Sequence, residues 1–311
     1  MFGEALAADL TRLGLAPKRH EPLSRHGYWR IGGPADLWVE VHHPDQLSAL
    51  IRLGAPVTVV GNGSNLLVSD AGIRGVAVRL SGTFKEARIT PLPDPTVEAG
   101  AGLLNAVLLK RIEASGLGGL APLAGVPGTV GGAIRLNAGT ALGEIGDKTI
   151  DIKILDINGM LQTLHHEDLG FRYRHAAVPT GAVIVSATLR LSAEGLANEQ
   201  AAIAHHLSRR KATQPLDLPS CGSVFKNPPG GFAGALIESV GLKGARRGDA
   251  MISEKHANFI VNLGAARASD VAELIALARA TVLAERGVRL DPEVHVTGDW
   301  AEPPWPELSV T

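Results

Sequence analysis

The chain has almost no cysteine, few aromatic residues and no surplus of either charge, and each shortage removes a class of function. A lone Cys221 excludes an internal disulfide and a multi-cysteine metal site. Aromatic residues fill only 4% of the 311 positions, and the only tyrosines are Tyr28 and Tyr173. Lys and Arg number 30 against 31 Asp and Glu, a formal net charge of −1, so no global field recruits nucleic acid or an anionic membrane. Any anionic ligand must be held by local groups. No run approaches the ~20 apolar residues of a membrane span. The start, Met1-Phe2-Gly3-Glu4 with Asp9 soon after, lacks the basic head and apolar run of a signal peptide. The expectation is a cytoplasmic protein without membrane insertion and with no obligate protein partner in evidence.

Glycine is what the chain has in excess, at 37 residues, beside 19 prolines. These glycines follow no collagen or solenoid period. They cluster, which predicts tight loops where backbone must approach something closely. An apolar fraction of 45% with 20% charged residues describes a globular chain long enough for two or three substructures.

Periodicity sets the order of elements. Pro44-Asp45 opens an amphipathic helix with Leu47, Leu50 and Ile51 on one face and Gly54 as its stop. Residues 57–60 read as a buried strand running into the first glycine cluster, and 66–68 and 76–80 as further strands. A helix is expected over 103–114, with Leu104, Val107, Leu108 and Ile112 inward and Gly116 ending it. Asn158-Gly159 between two apolar runs signals a hairpin, and 182–191 continues in strand character. The pattern turns helical near Asn198 and breaks at Gln214-Pro215. Beyond lie a helix over 232–240, a strand over 258–262, a helix capped by Ser269 and ended by Gly287, and a strand over 288–296 carrying Glu293. The tail with Pro303, Pro304 and Pro306 reads as poorly ordered.

Three loops carry the chemistry. Gly61-Asn62-Gly63-Ser64-Asn65 follows a strand but is no dinucleotide fingerprint, because Leu66 stands where the third glycine belongs. It also lacks a Gly-Lys-Ser/Thr ending. What remains is a run of small residues whose main-chain N–H groups can converge on an anion. The second cluster holds Gly125, Pro127, Gly128, Thr129, Gly131 and Gly132, followed by Asn137-Ala138-Gly139. Such side-chain-free backbone lets an extended ligand lie against it; a tight helix–strand crossing would need the same residues. Together the two loops favour a ligand with a diphosphate and a flat ring system. The third loop, 220–228, sets Ser223, Lys226 and Asn227 beside apolar Val224 and Phe225 between Gly222 and Pro228. It suits a pocket wall, and equally an ordinary turn before a short strand.

The same residues belong to a longer ordered set. Ile31-Gly32-Gly33-Pro34-Ala35-Asp36, the two glycine clusters, Tyr173-Arg174, the Gly222–Pro228 loop, Ser253-Glu254-Lys255-His256-Ala257-Asn258-Phe259 and Pro292-Glu293-Val294 occur in one order from about Tyr28 to Gly298. In this the chain resembles the UDP-N-acetylenolpyruvoylglucosamine reductase (MurB) family. The resemblance implies an α+β fold: an FAD-binding fold of the vanillyl-alcohol-oxidase (PCMH) type in two subdomains, 1–72 and 73–197, and a C-terminal substrate-binding domain, 198–311. It implies FAD as cofactor and NADPH as reductant. The reaction would carry hydride to the enolpyruvyl group of a UDP-sugar, giving UDP-N-acetylmuramate for peptidoglycan.

Carried over residue by residue, Ser223 takes the position of the serine that protonates the substrate carbon, and Arg174 and Glu293 those that flank the enolpyruvyl group. Gly61 to Asn65, Gly125, Pro127, Gly128, Thr129, Gly131, Gly132, Asn137, Ala138 and Gly139 would hold FAD. Asn227, Lys211 and Tyr173 would touch the sugar nucleotide, Arg209 and Arg210 sharing the basic run. Trp29-Arg30 departs from the family pattern, where many members carry a small residue or threonine. The interval between Tyr173-Arg174 and the serine loop is short and holds no tyrosine, as in the shorter class of the family that lacks a substrate-covering tyrosine loop.

The chemistry suits these side chains. Hydride addition to a double bond conjugated with a carboxylate builds enolate charge, which a guanidinium stabilises through two parallel bonds without titrating. The intermediate then needs a proton on carbon, and a serine supplies one only where its neighbours offset the alkoxide it becomes. Other readings are an FAD-dependent alcohol or sugar oxidase, or a nucleotide-sugar binding protein without redox chemistry. A tether residue for covalent flavin, His or Cys, is absent from 61–70. Cys221 lacks a paired histidine and reads as a small buried residue. His165-His166 and His205-His206 lack ligand spacing and read as solvated, and His256 as structural.

Overall fold

The computed structural model describes residues 2–304 and separates into two units, each with its own hydrophobic core. The first takes residues up to Lys18, Leu37–Asn62 and Gly75–Arg209; the second takes Arg19–Asp36, Gly63–Arg74 and the chain from Arg210 onward. The first 72 residues therefore contribute to both units.

An antiparallel sheet forms the centre of the first unit, ordered Leu161–His165, Thr149–Leu155, Val183–Arg190, Thr96–Gly100, Ala87–Thr90. Period-two alternation sends Ile152, Ile154, Ala187, Leu189, Val97 and Ala99 into the core. The short helix Val130–Arg135 packs on Val183–Arg190 and Thr96–Gly100, so the end of the second glycine cluster rides directly on this sheet. Asn158-Gly159 makes the expected hairpin tip: Gly159 has φ +72, and the Asp156 carboxylate accepts from the N–H groups of Asn158 and Met160 at 2.9 and 2.8 Å. Strand Val57–Val59 lies parallel to Ile73–Leu80, pairing Val57 with Val76 and Val59 with Val78, and delivers the chain to Gly61.

The second unit holds the antiparallel strands Arg246–Arg247, Ala250–Ile252 and Ile260–Asn262, covered by the helix Ala268–Arg286, which packs in turn on Ala233–Ser239. Leu66–Val68 pairs in parallel with His295–Thr297. The glycines at 33 and 72 are needed for backbone approach. A Cβ on Gly33 would strike the Asp70 carbonyl oxygen, and one on Gly72 the Pro34 carbonyl oxygen. Ser69 O accepts from both Gly33 N and Gly72 N, at 2.8 and 2.9 Å. Trp29, at the departure from the family pattern, is a core anchor: its indole Nε1 donates to Ile260 O at 2.7 Å, and Asn262 Nδ2 donates to its carbonyl at 2.8 Å.

Several expectations need correction. Residues 57–59 are half-buried, and Val60 lies beyond the strand. The helix expected from 103 begins at Asn105; Leu104 is exposed and bridges Thr129. The strand expected from 258 begins at Ile260. Ser269 is not a cap. The N-cap is Arg267, whose N–H donates to Asp270, while the Asp70 carboxylate accepts from Ala268 N and Ser269 N at 2.7 and 3.0 Å. Of 288–296 only His295 and Val296 are laddered; Pro292 has no N–H to donate, and the main chain of Asp291, Glu293 and Val294 bonds to the serine loop at Lys226 and Val224. Residues 303 and 304 carry no helix or strand, and Pro306 lies outside the described residues.

Candidate active site

In the first unit, Gly61 and the second glycine cluster come together. A Cβ on Gly61 would lie 3.0 Å from Thr129 Oγ1, a contact close enough that the threonine side chain would have to give way. Gly125 and Gly128 adopt φ +72 and +107, conformations that L side chains rarely take. Gly131 is a packing residue, since its Cβ would lie 2.9 Å from Ala101 Cβ. Gly132 is exposed and meets nothing closer than Thr129 Oγ1 at 3.7 Å, so the protein itself does not require a glycine there. Asn105, missed in the sequence, shapes the cluster: its N–H donates to Gly128 O at 3.1 Å and its Nδ2 to Val126 O at 3.3 Å. The only hint was a polar residue inside an apolar helical face.

Tyr173 and Arg174 are the two central residues of a hairpin closed by Arg172 N→His175 O and His175 N→Arg172 O, at 3.1 and 2.9 Å. Arg174 has φ +55, which few non-glycine residues adopt. Its guanidinium carbon lies 5.0 Å over the Tyr173 ring, and Nη2 donates to Gly139 O at 3.3 Å. Thus Arg174, Tyr173 and Gly139 share one place. Asn137 lies beside them, with its side chain turned into the protein, and Ala138 is buried.

In the second unit the serine loop is fixed through its main chain by Asn258 and Glu293. Asn258 O accepts from Val224 N at 2.9 Å, Asn258 Oδ1 accepts from Phe225 N at 2.9 Å, and Asn258 Nδ2 donates to Phe225 O at 2.9 Å. Val224 O accepts from Glu293 N at 2.7 Å, and Phe225 bridges Pro292. Ser223 and Glu293 therefore stand on adjoining segments. Gly222 has φ +78 with open space where a Cβ would be. Asn65 Nδ2 donates to Glu293 O at 2.9 Å, so this amide serves the glutamate segment; Gly63 O accepts from Tyr28 N. Asn227 Oδ1 accepts from Ala233 N at 3.1 Å, tying the loop to the helix Ala233–Ser239. Lys211 is exposed, its carbonyl accepting from Lys255 Nζ at 2.9 Å. Asn258, which holds the loop at both residues after the serine, was visible only as part of a motif.

Cys221 is buried, its Sγ 3.7 Å from Gly63 O and Leu66 O, and burial pushes its thiol pKa up, which removes the thiolate a nucleophile needs. Among the described residues no group of His, Cys, Asp and Glu could hold a metal ion. His256 is structural: its Nδ1 accepts from Asn258 N at 3.2 Å, and its ring meets Phe259 edge-on. Burial lowers its pKa, against a nearby Glu238 that raises it and in concert with Lys243. The folded state thus binds fewer protons than the unfolded one. Its contribution to stability is full above the ordinary histidine value and declines as pH falls through the depressed one. Urea unfolding is expected to show stability falling below about pH 6.5, with a shallower slope in His256→Gln; identical slopes would contradict this.

Main-chain N–H groups freed of side chains at Gly61, Gly128 and Gly132 suit phosphate oxygens, and the closed approach of Gly61 to Thr129 is the kind of cradle a Cβ would fill. The residues present therefore fit a dinucleotide. Comparison with known proteins agrees. Residues 35–165 match the family model described as FAD binding domain, which makes this a flavin-binding protein. Residues 214–297 match the model of the UDP-N-acetylenolpyruvoylglucosamine reductase C-terminal domain. A reductase of that name from Moorella thermoacetica is 43% identical over 95% of this chain and 98% of its own length. Another from Symbiobacterium thermophilum is 45% identical over 93% of each. The crystal structure of the reductase from Thermus caldophilus superposes with a TM-score of 0.80 at 38% identity, covering 91% of this chain and 99% of that one. The chain belongs to the UDP-N-acetylenolpyruvoylglucosamine reductase family.

Proposed function

We propose that the chain reduces the enolpyruvyl group of UDP-N-acetylglucosamine enolpyruvate to UDP-N-acetylmuramate, with NADPH as reductant. The observation that carries the reading is the Val224 O to Glu293 N bond of 2.7 Å, which holds the serine segment against the glutamate segment. Bound FAD would accept hydride from NADPH and supply it to the unsaturated carbon. The chain's own residues do the rest. Segments 1–72 and 73–197 hold the cofactor through the main chain of 61–65 and 125–132, with 137–139 beside them, and 198–311 takes the sugar nucleotide.

Arg174 neutralises the enolate that develops on the substrate carboxylate, its fork oriented by the Tyr173 ring and Gly139 O. Ser223 gives the proton to carbon from its hydroxyl. Glu293 polarises the carboxylate or relays the proton that restores the serine. Asn227, Lys211 and Tyr173 bind the sugar nucleotide. With Tyr28 and Tyr173 the only tyrosines, none is left for a lid between the hairpin and the serine loop. No described helix is long and apolar enough to cross a membrane. A water-soluble substrate and reductant suit the cytoplasm.

Purified protein is expected to be yellow and to release FAD on denaturation. It should consume one NADPH for each product formed, with a product two hydrogens heavier than the substrate. Colourless protein that takes up no FAD would overturn the reading.

A further inference from the structure

Asn137 has its side chain wholly inside the first unit, and its partners point to a role other than touching a cofactor. The residue is 1% exposed and has φ +42. Nδ2 donates to Glu144 Oε2 at 2.6 Å and to Arg172 O at 3.1 Å, and Oδ1 accepts from Gly146 N at 2.8 Å. Both amide hydrogens are in use, and rotating the amide would set its oxygen against a carboxylate and a carbonyl, so the orientation is fixed. Arg172 opens the hairpin that carries Arg174, and its carbonyl also accepts from His175 N at 2.9 Å. A left-handed turn at Asn137 then leads the chain to Gly139, whose carbonyl is the partner of Arg174 Nη2 and which pairs with Glu144. One amide thus joins the hairpin bearing Arg174, the turn bearing Glu144, and the strand that supplies the guanidinium's acceptor.

A left-handed Arg174 persists only where its surroundings over-determine it. We propose that Asn137 is a positioning residue for Arg174, acting through Arg172 O and anchored by the Glu144 carboxylate. This rests on the proposed reductase activity. It assigns Asn137 to the substrate half of the reaction, not to the grip on FAD.

The test uses full-length, FAD-loaded protein. Asn137→Asp puts an acceptor where a donor is needed, facing the Glu144 carboxylate. Reoxidation of the reduced flavin by the enolpyruvyl substrate should slow about 10–100-fold, the range expected for a lost buried hydrogen bond to a charged group. Bound flavin and its reduction by NADPH should stay at the parent level. The defect should ease as pH falls, because a proton shared between the two carboxylates restores a donor. Adding Glu144→Gln should remove that pH dependence. In an Arg174→Ala background Asn137→Asp should cost nothing further.

An equal loss of both half-reactions would overturn the proposal, as would the same cost with and without Arg174. Glu144→Gln alone keeps an oxygen that accepts from Asn137, so reoxidation should slow less than in Asn137→Asp. If that single change abolishes reoxidation, the carboxylate's charge and not the amide's position governs Arg174, and the proposal fails even if Asn137→Asp does not fold. A parent chain that NADPH cannot reduce would instead sink the reductase reading itself.

Discussion

Ser223→Ala is expected to leave flavin reduction by NADPH intact and to slow reoxidation by the enolpyruvyl substrate by about 10²–10⁴-fold, the usual contribution of a positioned general acid. The expectation is sharp because the serine loop does not depend on the serine hydroxyl. Val224 and Phe225 are buried, and their main-chain groups are held by Asn258 and Glu293. Losing one hydroxyl beside the open space at Gly222 should therefore change chemistry and not fold. Anaerobic mixing of NADPH with the oxidised variant, followed by substrate, separates the two half-reactions. If both slowed together, Ser223 would be acting on flavin binding or orientation.

Arg174→Lys is the second large effect. Lysine keeps the charge but loses the planar fork, the fit over the Tyr173 ring and the geometry of the bond to Gly139 O. A loss of about 10²–10³-fold in kcat is expected, as for removal of one preorganised donor to a developing anion. Flavin content should not change. A rise in KM with kcat unchanged would mean that Arg174 binds substrate and transition state equally, and the enolate role would fall.

The sequence was most legible where a residue's type is demanded by backbone geometry. Gly54, Gly159 and Gly287 sit at φ +70, +72 and +65, where they were expected to end a helix, tip a hairpin and cap a helix. The apolar face of the last long helix, Val271, Leu274, Ile275, Ala278 and Val282, is buried as its period requires. The asparagines were less legible. Asn65 and Asn137 sit in glycine-rich motifs and read naturally as ligand donors. Their amides also serve partners that the motifs do not announce: Asn65 the Glu293 carbonyl, and Asn137 the Glu144 carboxylate and the Arg172 carbonyl. An amide's partner is set by tertiary packing, which motif spacing does not report.

The segment 288–296 teaches the related lesson. Leu290, Val294 and Val296 are buried along it at even spacing. Period two reports facing, however, not hydrogen bonding, and Glu293 is held from Val224 and Asn65. Asp70 likewise caps a helix that begins nearly two hundred residues later, a pairing that only the fold can create.

The most direct measurement is anaerobic stopped-flow absorbance of NADPH-reduced protein mixed with UDP-N-acetylglucosamine enolpyruvate. The oxidised flavin band should return in the parent as UDP-N-acetylmuramate forms, and should stay bleached over the same interval in Ser223→Ala. A parent whose reduced flavin the enolpyruvyl substrate fails to reoxidise, or a variant that recovers at the parental rate, would contradict the account.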